Sequence, residues 1–387
     1  MQTTPDSSNL LSAVADLFPA IAAAQAELDA TQRLPTDLIA GLADAGVFNM
    51  SVPRALGGLE VDPLEMIDVI ERLSWADGAV GWIAAIASGT AGYISARLSI
   101  AAASSIWSDA RTVMCGNMAM PGGIAVAVDG GFRVTGRWAF GSGSYNSDWL
   151  ASACTVQASR DEGAVSASPA QCILVLRRQD CELLDTWDVV GLRGTGSTDY
   201  AAHDVFVPTD RSIDRAAKAL HDGALYRHRF YLLAHAAHAL GVAHRSIDTF
   251  RELALVKPDG RSDRMLAGRA GIQSDVAQAH ALVAMAGAYL REVVRDAWAT
   301  VSAGASLSLQ QQGAARLAIV SCVRNSVQAI DLLYEAAGAS SIYETSPLAR
   351  CFRDIHVASQ HAVVQKTAYA VSGQTILDVT PTVPFVL

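Results

Sequence analysis

The chain has 387 residues, of which 51% are hydrophobic and 17% are charged. This length can supply two or three hydrophobic cores, and the composition is too apolar for a disordered protein. The formal net charge of −9 argues against nucleic acid or an anionic membrane as a partner, because no basic stripe is present to displace counterions. We therefore expect a soluble globular protein that acts on a small molecule.

Six cysteines are scattered along the chain, and none of them forms a CxxC pair. This pattern favours neither a metal site nor a disulfide framework, and it is typical of a protein of the reducing cytoplasm. The N-terminal residues lack both a basic segment and an unbroken apolar run, so no signal peptide is predicted.

The first third of the chain has helical periodicity from Leu10 to Trp107, and we predict an N-terminal α-helical domain over residues 1–108. Within it, residues 78–96 carry no charge and are long enough to cross a bilayer. Their Ala, Gly, Ser and Thr content, closed by Asp77 and Arg97, favours a helix buried inside a helical protein.

The hydrophobic period changes to two after residue 108, which predicts a middle β domain over residues 109–210. The expected strands are Ile124–Val128, Phe132–Trp138, Trp149–Val156, Cys172–Leu176 and Ala201–Val207. The stretch Arg160–Pro169 is expected to form a surface loop.

Helical periodicity returns for residues 211–387, and we predict a C-terminal four-helix bundle. Its long segments are Leu225–Leu255, Ser262–Val301, Leu307–Gly338 and Leu348–Leu377. The fold class is therefore α+β, in the order helices, β domain, helices.

The segment GRWAFGSGSYNSDW, residues 136–149, predicts a strand that enters a tight turn of small residues and leaves as another strand. Such a turn is expected to expose backbone N–H groups and the Ser142 hydroxyl beside an aromatic surface from Trp138 and Phe140. This combination suits a planar cofactor with polar edges. A plain connection between two strands remains the alternative.

Four motifs resemble the acyl-CoA dehydrogenase superfamily: LPTDLIAGLADAGVFNMSVPRALGGLEVDP, the Asp77-Gly78 helix start, FRVTGRWAF, and GLRGTGSTDYAAHDVFVP. The resemblance covers nearly the whole chain and implies that superfamily's fold. Its dehydrogenases use a glutamate to remove the α-proton of an acyl thioester while hydride passes to FAD. Here no glutamate follows Glu344, and residues 224–247 contain no acid. The dehydrogenase interpretation therefore lacks its base.

The segment CFRDIHVASQH, together with RWAFGSG and GLRGTGS, resembles the two-component flavin-dependent monooxygenases of the same fold. The resemblance implies reduced FMN or FAD from a separate NAD(P)H:flavin reductase, and O₂ as the oxidant. It implies two catalytic residues: His361 on the last helix, facing the substrate, and Ser142 near N5 of the flavin. An FAD-dependent acyl-CoA dehydrogenase with an unrecognised base, and a non-catalytic binding or scaffold protein, remain alternatives.

The same resemblance implies further contacts, each with a structural alternative such as core packing or a solvated surface charge. The expected flavin contacts are Met118, Met120, Gly123, Trp138, Phe140, Gly141, Ser142 and Arg193, with Arg264 and Arg269 as candidate phosphate ligands. The expected substrate contacts are Trp82, Tyr93, His235 and His361.

The resemblance also implies a homotetramer, because the bundle normally pairs its long helices between subunits. The implied substrate is a small aromatic, heteroaromatic or polyketide-like ring, or an amine. His228, His235 and His238 are expected on one face of the first bundle helix, with no carboxylate between them to favour a metal.

Overall fold

The computed structural model describes residues 9–157, 170–260 and 263–381, and the predicted loop at 160–169 lies outside these ranges. The described chain follows the predicted order of helices, one sheet, and helices. The α-helices are α1 (Leu10–Asp16), α2 (Phe18–Thr31), α3 (Thr36–Asp44), α4 (Pro63–Ala76), α5 (Gly78–Ser95), α6 (Ile100–Ile106), α7 (Ala234–Val256), α8 (Ala270–Ser302), α9 (Leu309–Ala337), α10 (Pro347–Ala358) and α11 (Thr367–Ile376).

A single eight-stranded sheet occupies the middle of the chain. Its strands are β1 (Met114–Cys115), β2 (Gly123–Val128), β3 (Gly131–Trp138), β4 (Trp149–Gln157), β5 (Gln171–Arg177), β6 (Glu182–Leu183), β7 (Tyr200–Pro208) and β8 (Ser212–Asp214). The five predicted strands correspond to β2, β3, β4, β5 and β7. The other three strands are only two or three residues long. An alternation of polar and apolar residues cannot be recognised over so few positions.

The chain divides into two compact units. The first contains Met1–Val61, Ile86–Asp188 and Arg193–Arg227, and therefore the whole sheet. The second contains Asp62–Ala85, Val189–Leu192 and His228–Leu387. The predicted domain boundaries after residues 108 and 210 stay a prediction.

In the first unit, the sheet has the order β6-β7-β3-β2-β4-β5-β8, and β1 also pairs with β4. Most neighbours are antiparallel, but β2 runs parallel to β4, with Gly123 opposite Cys154. The connection from β3 to β4 is the small-residue segment singled out in the sequence. The sheet therefore supports both ends of this turn.

In the second unit, the predicted bundle is confirmed as a set of packed helices, with two changes in length. The first long helix begins at Ala234 rather than Leu225, so His228 precedes α7 and does not share its face. The predicted helix Leu348–Leu377 is divided into α10 and α11. Arg324 donates to the carbonyls of Ser359 and Val364, at 3.2 and 2.9 Å, which fixes the segment between α10 and α11.

The uncharged helix expected at residues 78–96 is confirmed as α5, and most of its side chains are buried. Among the residues described here, no single helix is long and apolar enough to cross a membrane, and α1 with α2 passes only as a bent pair.

Packing of α7 against α4 depends on a backbone contact at Gly241. A Cβ atom at this position would lie 2.2 Å from the Glu71 carbonyl oxygen and 2.7 Å from Ser74 Cβ. Only glycine lets the two helix backbones approach this closely. This close approach fixes the position of α7 along its axis and its rotation relative to α4. Helix α7 carries two of the histidines described below.

Gly241→Ala is therefore expected to lower the free energy of unfolding by roughly 1–3 kcal/mol, because the helices must separate to admit the methyl group. Gly373→Ala is the matched control, since a Cβ there meets no atom within 4 Å and alanine favours a helix by up to about 1 kcal/mol. Urea unfolding followed by circular dichroism measures both. Equal stability of the two variants would contradict the close contact.

Candidate active site

An indole ring surrounded by three imidazoles forms the most distinctive polar cluster of the second unit. Trp82, on α5, is 7% exposed. Its ring makes edge contacts with His235, His238 and His361, with ring centroids 5.5, 5.1 and 5.6 Å away. The rings of His235 and His361 lie 4.5 Å apart. The structure thus brings together three of the four predicted substrate residues, and adds His238.

The two histidines of α7 are positioned by the helix itself. They are three residues apart in an alanine-rich sequence, so both side chains leave the same face. His235 Nδ1 lies 3.1 Å from the Leu232 carbonyl, and His238 Nε2 lies 2.9 Å from the Gly78 carbonyl. A carbonyl only accepts, so these nitrogens carry the protons and the opposite nitrogens are acceptors.

His361 is not on the last helix, as the sequence suggested, but in the segment that follows α10. It caps the short 3₁₀ turn Ala362–Val364, and its Nδ1 accepts the Val363 N–H at 3.3 Å. The neutral ring therefore carries its proton on Nε2, which makes no hydrogen bond to any residue in the described ranges. His356, on α10, instead contacts Asp331 at 2.9 Å.

Burial keeps these imidazoles uncharged. Desolvation lowers the pKa of His238 to about 4. Desolvation, assisted by the positive charge of Arg316, lowers the pKa of His361 to about 4. The pKa of His235 lies well below its usual value because of burial and repulsion from His361. At neutral pH the cluster therefore offers one N–H donor, on His361, and lone-pair acceptors on His235 and His238.

No carboxylate of the described chain touches the three imidazoles through a hydrogen bond or an ion pair. The acids nearest in sequence to His361 and His238 are engaged elsewhere: Asp354 accepts the Leu192 N–H at 2.6 Å, and Asp248 accepts the Trp75 indole N–H at 2.8 Å. A proton-abstracting carboxylate, which acyl-CoA oxidation requires, is therefore missing from this cluster.

Ser142 lies in the turn of the first unit, where it is buried. Its hydroxyl is 2.7 Å from that of Ser197, which is 2.7 Å from that of Thr195. Three hydroxyl groups therefore form a continuous chain in which each member can donate and accept.

The expectation that this turn exposes its backbone N–H groups is wrong. Gly141 N–H donates to the Thr198 carbonyl and Gly143 N–H to the Thr195 carbonyl, both at 2.9 Å. Ser142 and Ser144 donate to carbonyls within the turn. The hydroxyl chain, rather than the backbone, is the polar feature that this turn can present.

The aromatic pair of the turn is divided between core and surface. Trp138 is 1% exposed, stacks on Tyr200 at 5.2 Å and donates its indole N–H to the Ala153 carbonyl. A Cβ at Gly123 would meet this indole ring at 2.4 Å, which explains the glycine structurally. Phe140 has a positive φ of 60° and is 69% exposed. Of these two rings, only that of Phe140 is exposed.

The remaining predicted flavin residues differ in their exposure and contacts. Met118 is half-buried and Met120 is exposed, both in the segment before β2. Arg193 donates to the Asp29 carbonyl at 3.2 Å. Arg264 is exposed, and Arg269 pairs with Asp259 at 3.4 Å.

The predicted substrate residue Tyr93 lies near the end of α5. The Arg97 guanidinium stacks over its ring at 3.8 Å. This contact gives Tyr93 a packing role of its own.

Sequence reasoning missed two arginines and two hydroxyl residues. Arg324 holds the His361 segment, and Arg316 lies near His235 and His361. The signal for Arg316 was a lone charge in the apolar run AARLAIV. Ser197 and Thr195 stand in the quoted GLRGTGS motif, but nothing local indicated that they approach Ser142.

The side chains of the turn that contains Ser142 suit a flavin ring. An isoalloxazine ring has an apolar face and polar edges, and the exposed Phe140 ring and the Ser142 hydroxyl belong to one turn. In the second unit, a neutral N–H donor on His361 stands among apolar and aromatic groups. Both features suit oxygen chemistry on an organic ring.

Comparison with known proteins agrees with this chemistry. Residues 4–100 match the acyl-CoA dehydrogenase N-terminal domain, and residues 233–366 match the acyl-CoA dehydrogenase C-terminal domain. The indole-3-acetate monooxygenase of Pseudomonas putida is 30% identical over 90% of this chain and 88% of its own length. The FADH₂-dependent resorcinol hydroxylase oxygenase component of a Rhizobium species is 28% identical, over 95% and 93%.

A solved structure extends the similarity to three dimensions. The crystal structure of the HsaA monooxygenase from Mycobacterium tuberculosis superposes with a TM-score of 0.86 at 27% identity, covering 98% of this chain and 100% of that one. The expected α+β fold is therefore confirmed. The chain belongs to the acyl-CoA dehydrogenase superfamily, in its branch of flavin-dependent monooxygenases.

Proposed function

We propose that this protein is the oxygenase component of a two-component system that hydroxylates a small aromatic or heteroaromatic ring. It would take FMNH₂ or FADH₂ from a separate NAD(P)H:flavin reductase. The names of its relatives make indole-3-acetate and resorcinol suitable first test compounds. The proposal is carried by one observation: His361 presents an uncharged Nε2–H beside Trp82 and His235, in a cluster without a carboxylate contact among the described residues.

The reduced flavin, when bound, supplies the two electrons that activate O₂, so that one oxygen atom of O₂ can pass to the substrate. The residues of this chain would hold and orient. Phe140 would cover the flavin ring, and the hydroxyl chain from Ser142 would bond its polar edge. Each of these roles uses a group that the turn presents in a fixed position.

His361 would donate a hydrogen bond to the oxygen atom that is transferred. Its Nδ1 already accepts the Val363 N–H, which leaves the Nε2–H free to orient the reacting oxygen. His235 Nε2 is a buried lone-pair acceptor, and it would accept a hydrogen bond from a ring N–H or a phenol. An aromatic ring with such a donor satisfies both imidazoles. A protonated amine is matched less well, because these contacts offer it no carboxylate.

We further propose a homotetramer and a cytoplasmic location. Exposed Met285 and Tyr289 on α8 support pairing of this long helix between subunits. All six cysteines are buried free thiols, which a reducing compartment keeps in that state.

The direct test mixes purified protein with chemically reduced flavin, O₂ and a ring substrate, and measures hydroxylated product against hydrogen peroxide. His361→Ala is expected to lower product formation by about a hundredfold or more, because the hydrogen-bond donor to the reacting oxygen is removed. His356→Ala is the matched control, since that imidazole contacts Asp331 instead. Normal turnover by His361→Ala would overturn this role, and bleaching of a bound flavin by an acyl-CoA would support the dehydrogenase.

Ser142→Ala tests the hydroxyl chain. Loss of the 2.7 Å contact with Ser197 is expected to raise the fraction of hydrogen peroxide released per product formed. Ser104→Ala, an exposed serine of α6, serves as the control. An unchanged ratio of peroxide to product in the Ser142 variant would remove Ser142 from the proposed site.

The neutral histidines predict a dependence of stability on pH. A histidine with a native pKa of about 4 stabilises the fold fully above about pH 6.5, and that stabilisation is lost as the pH falls toward 4, because the unfolded chain binds protons first. Relative to His238→Gln, the wild type should lose about 2 kcal/mol of unfolding free energy between pH 7 and pH 4.5. Urea unfolding at several pH values measures this difference. Parallel pH profiles would show that His238 is not held neutral.

A further inference from the structure

Arg316 is a charged residue on α9 whose position the chemistry above does not explain. It stands in the apolar run AARLAIV, and α9 packs along α7, the helix of His235. Its Nη1 atom is buried and has no hydrogen-bond partner. Across the described ranges of the chain, Arg316 makes no ion pair with a carboxylate.

Three other partly buried arginines of the second unit are bonded to groups of the chain. Arg291 bonds Asp68 and Glu71, both at 2.8 Å, and Arg350 pairs with Asp77 at 3.3 Å. Arg324 donates to two carbonyls. Arg316 therefore differs from these three arginines, because no carboxylate or carbonyl within the described ranges bonds to it.

The positive charge of Arg316 acts on the histidine cluster. Burial lowers the pKa of Arg316, and its positive charge lowers the pKa of His361 and of His235. An unpaired buried charge is costly, and an anion brought beside it recovers part of that cost. Binding of a negatively charged group beside Arg316 would therefore stabilise the cluster.

We propose that Arg316 binds a carboxylate of the substrate, so that the protein hydroxylates aromatic acids whose ring lies beside Trp82, His235 and His361. This inference rests on the proposed function and names the substrate class of the same site. The guanidinium offers a planar fork of N–H donors that matches a carboxylate.

The charge of the site favours a carboxylate over a more highly charged anion. Among the described residues, Arg316 is the arginine whose positive charge acts on His235 and His361, and the imidazoles themselves remain neutral. A phosphate would bring up to two negative charges into this setting. A monoanion balances the single guanidinium.

The test compares binding of indole-3-acetate and indole-3-acetamide to the flavin-free protein by isothermal titration calorimetry. The two molecules share the ring and differ in charge. Wild type should bind the acid about tenfold more tightly or better, as expected for a charged hydrogen-bonded pair. In Arg316→Met this preference should disappear. Arg295→Met, which removes an exposed arginine of α8, should retain it.

A second readout does not depend on a ligand. If Arg316 faces the imidazoles, Arg316→Met should raise the pKa of His361 and His235, measured by NMR of selectively labelled histidine. Equal binding of acid and amide by wild type, no binding of the acid at millimolar concentration, or a preference retained by Arg316→Met would overturn the proposal. Weaker FMN binding by this variant with unchanged acid binding would also overturn it, and assign Arg316 to the cofactor.

Failure of this inference is distinguishable from failure of the proposed function. Binding is measured without flavin or O₂, whereas hydroxylation is measured with both. If the acid binds through Arg316 but no hydroxylated product forms, only the proposed oxygenase function is contradicted. If uncharged rings are hydroxylated with no preference for acids, only the carboxylate subsite is contradicted.

Discussion

Desolvation of the imidazoles around Trp82 is the constraint on which the site depends. Removing His235, His238 and His361 from water makes their charged forms unfavourable, and backbone groups then fix which nitrogen of each ring holds the proton. His361 is left as a donor and His235 as an acceptor. A cluster of uncharged groups with assigned hydrogen-bonding directions is well suited to orient an aromatic ring.

The surrounding packing serves this arrangement. Gly241 lets α7 approach α4 closely enough to fix His235 and His238, and Arg324 holds the segment that carries His361. In the first unit, Trp138 and Tyr200 form the buried stack behind the turn of Ser142. The groups proposed to act in chemistry are thus held by backbone contacts and buried rings rather than by flexible surface side chains.

The fold class, the strands and the branch of the superfamily could be predicted from sequence, because periodicity and motifs are local. The absence of a glutamate after residue 344 already pointed away from dehydrogenase chemistry. The division of the last helix could not be predicted, since it depends on Arg324 bonding carbonyls about forty positions away. Likewise, the N–H groups of Gly141 and Gly143 donate to the carbonyls of Thr198 and Thr195, which no local pattern reveals.

The central claim is that His361 is a neutral Nε2–H donor inside this cluster. Two-dimensional ¹⁵N NMR of the histidine-labelled full-length protein at pH 7 tests it most directly, with His361→Gln used to assign the signal. The account predicts an uncharged ring with its proton on Nε2, and a ring of the opposite tautomer for His235. A charged His361 imidazolium at that pH, or a proton on its Nδ1, would contradict the account.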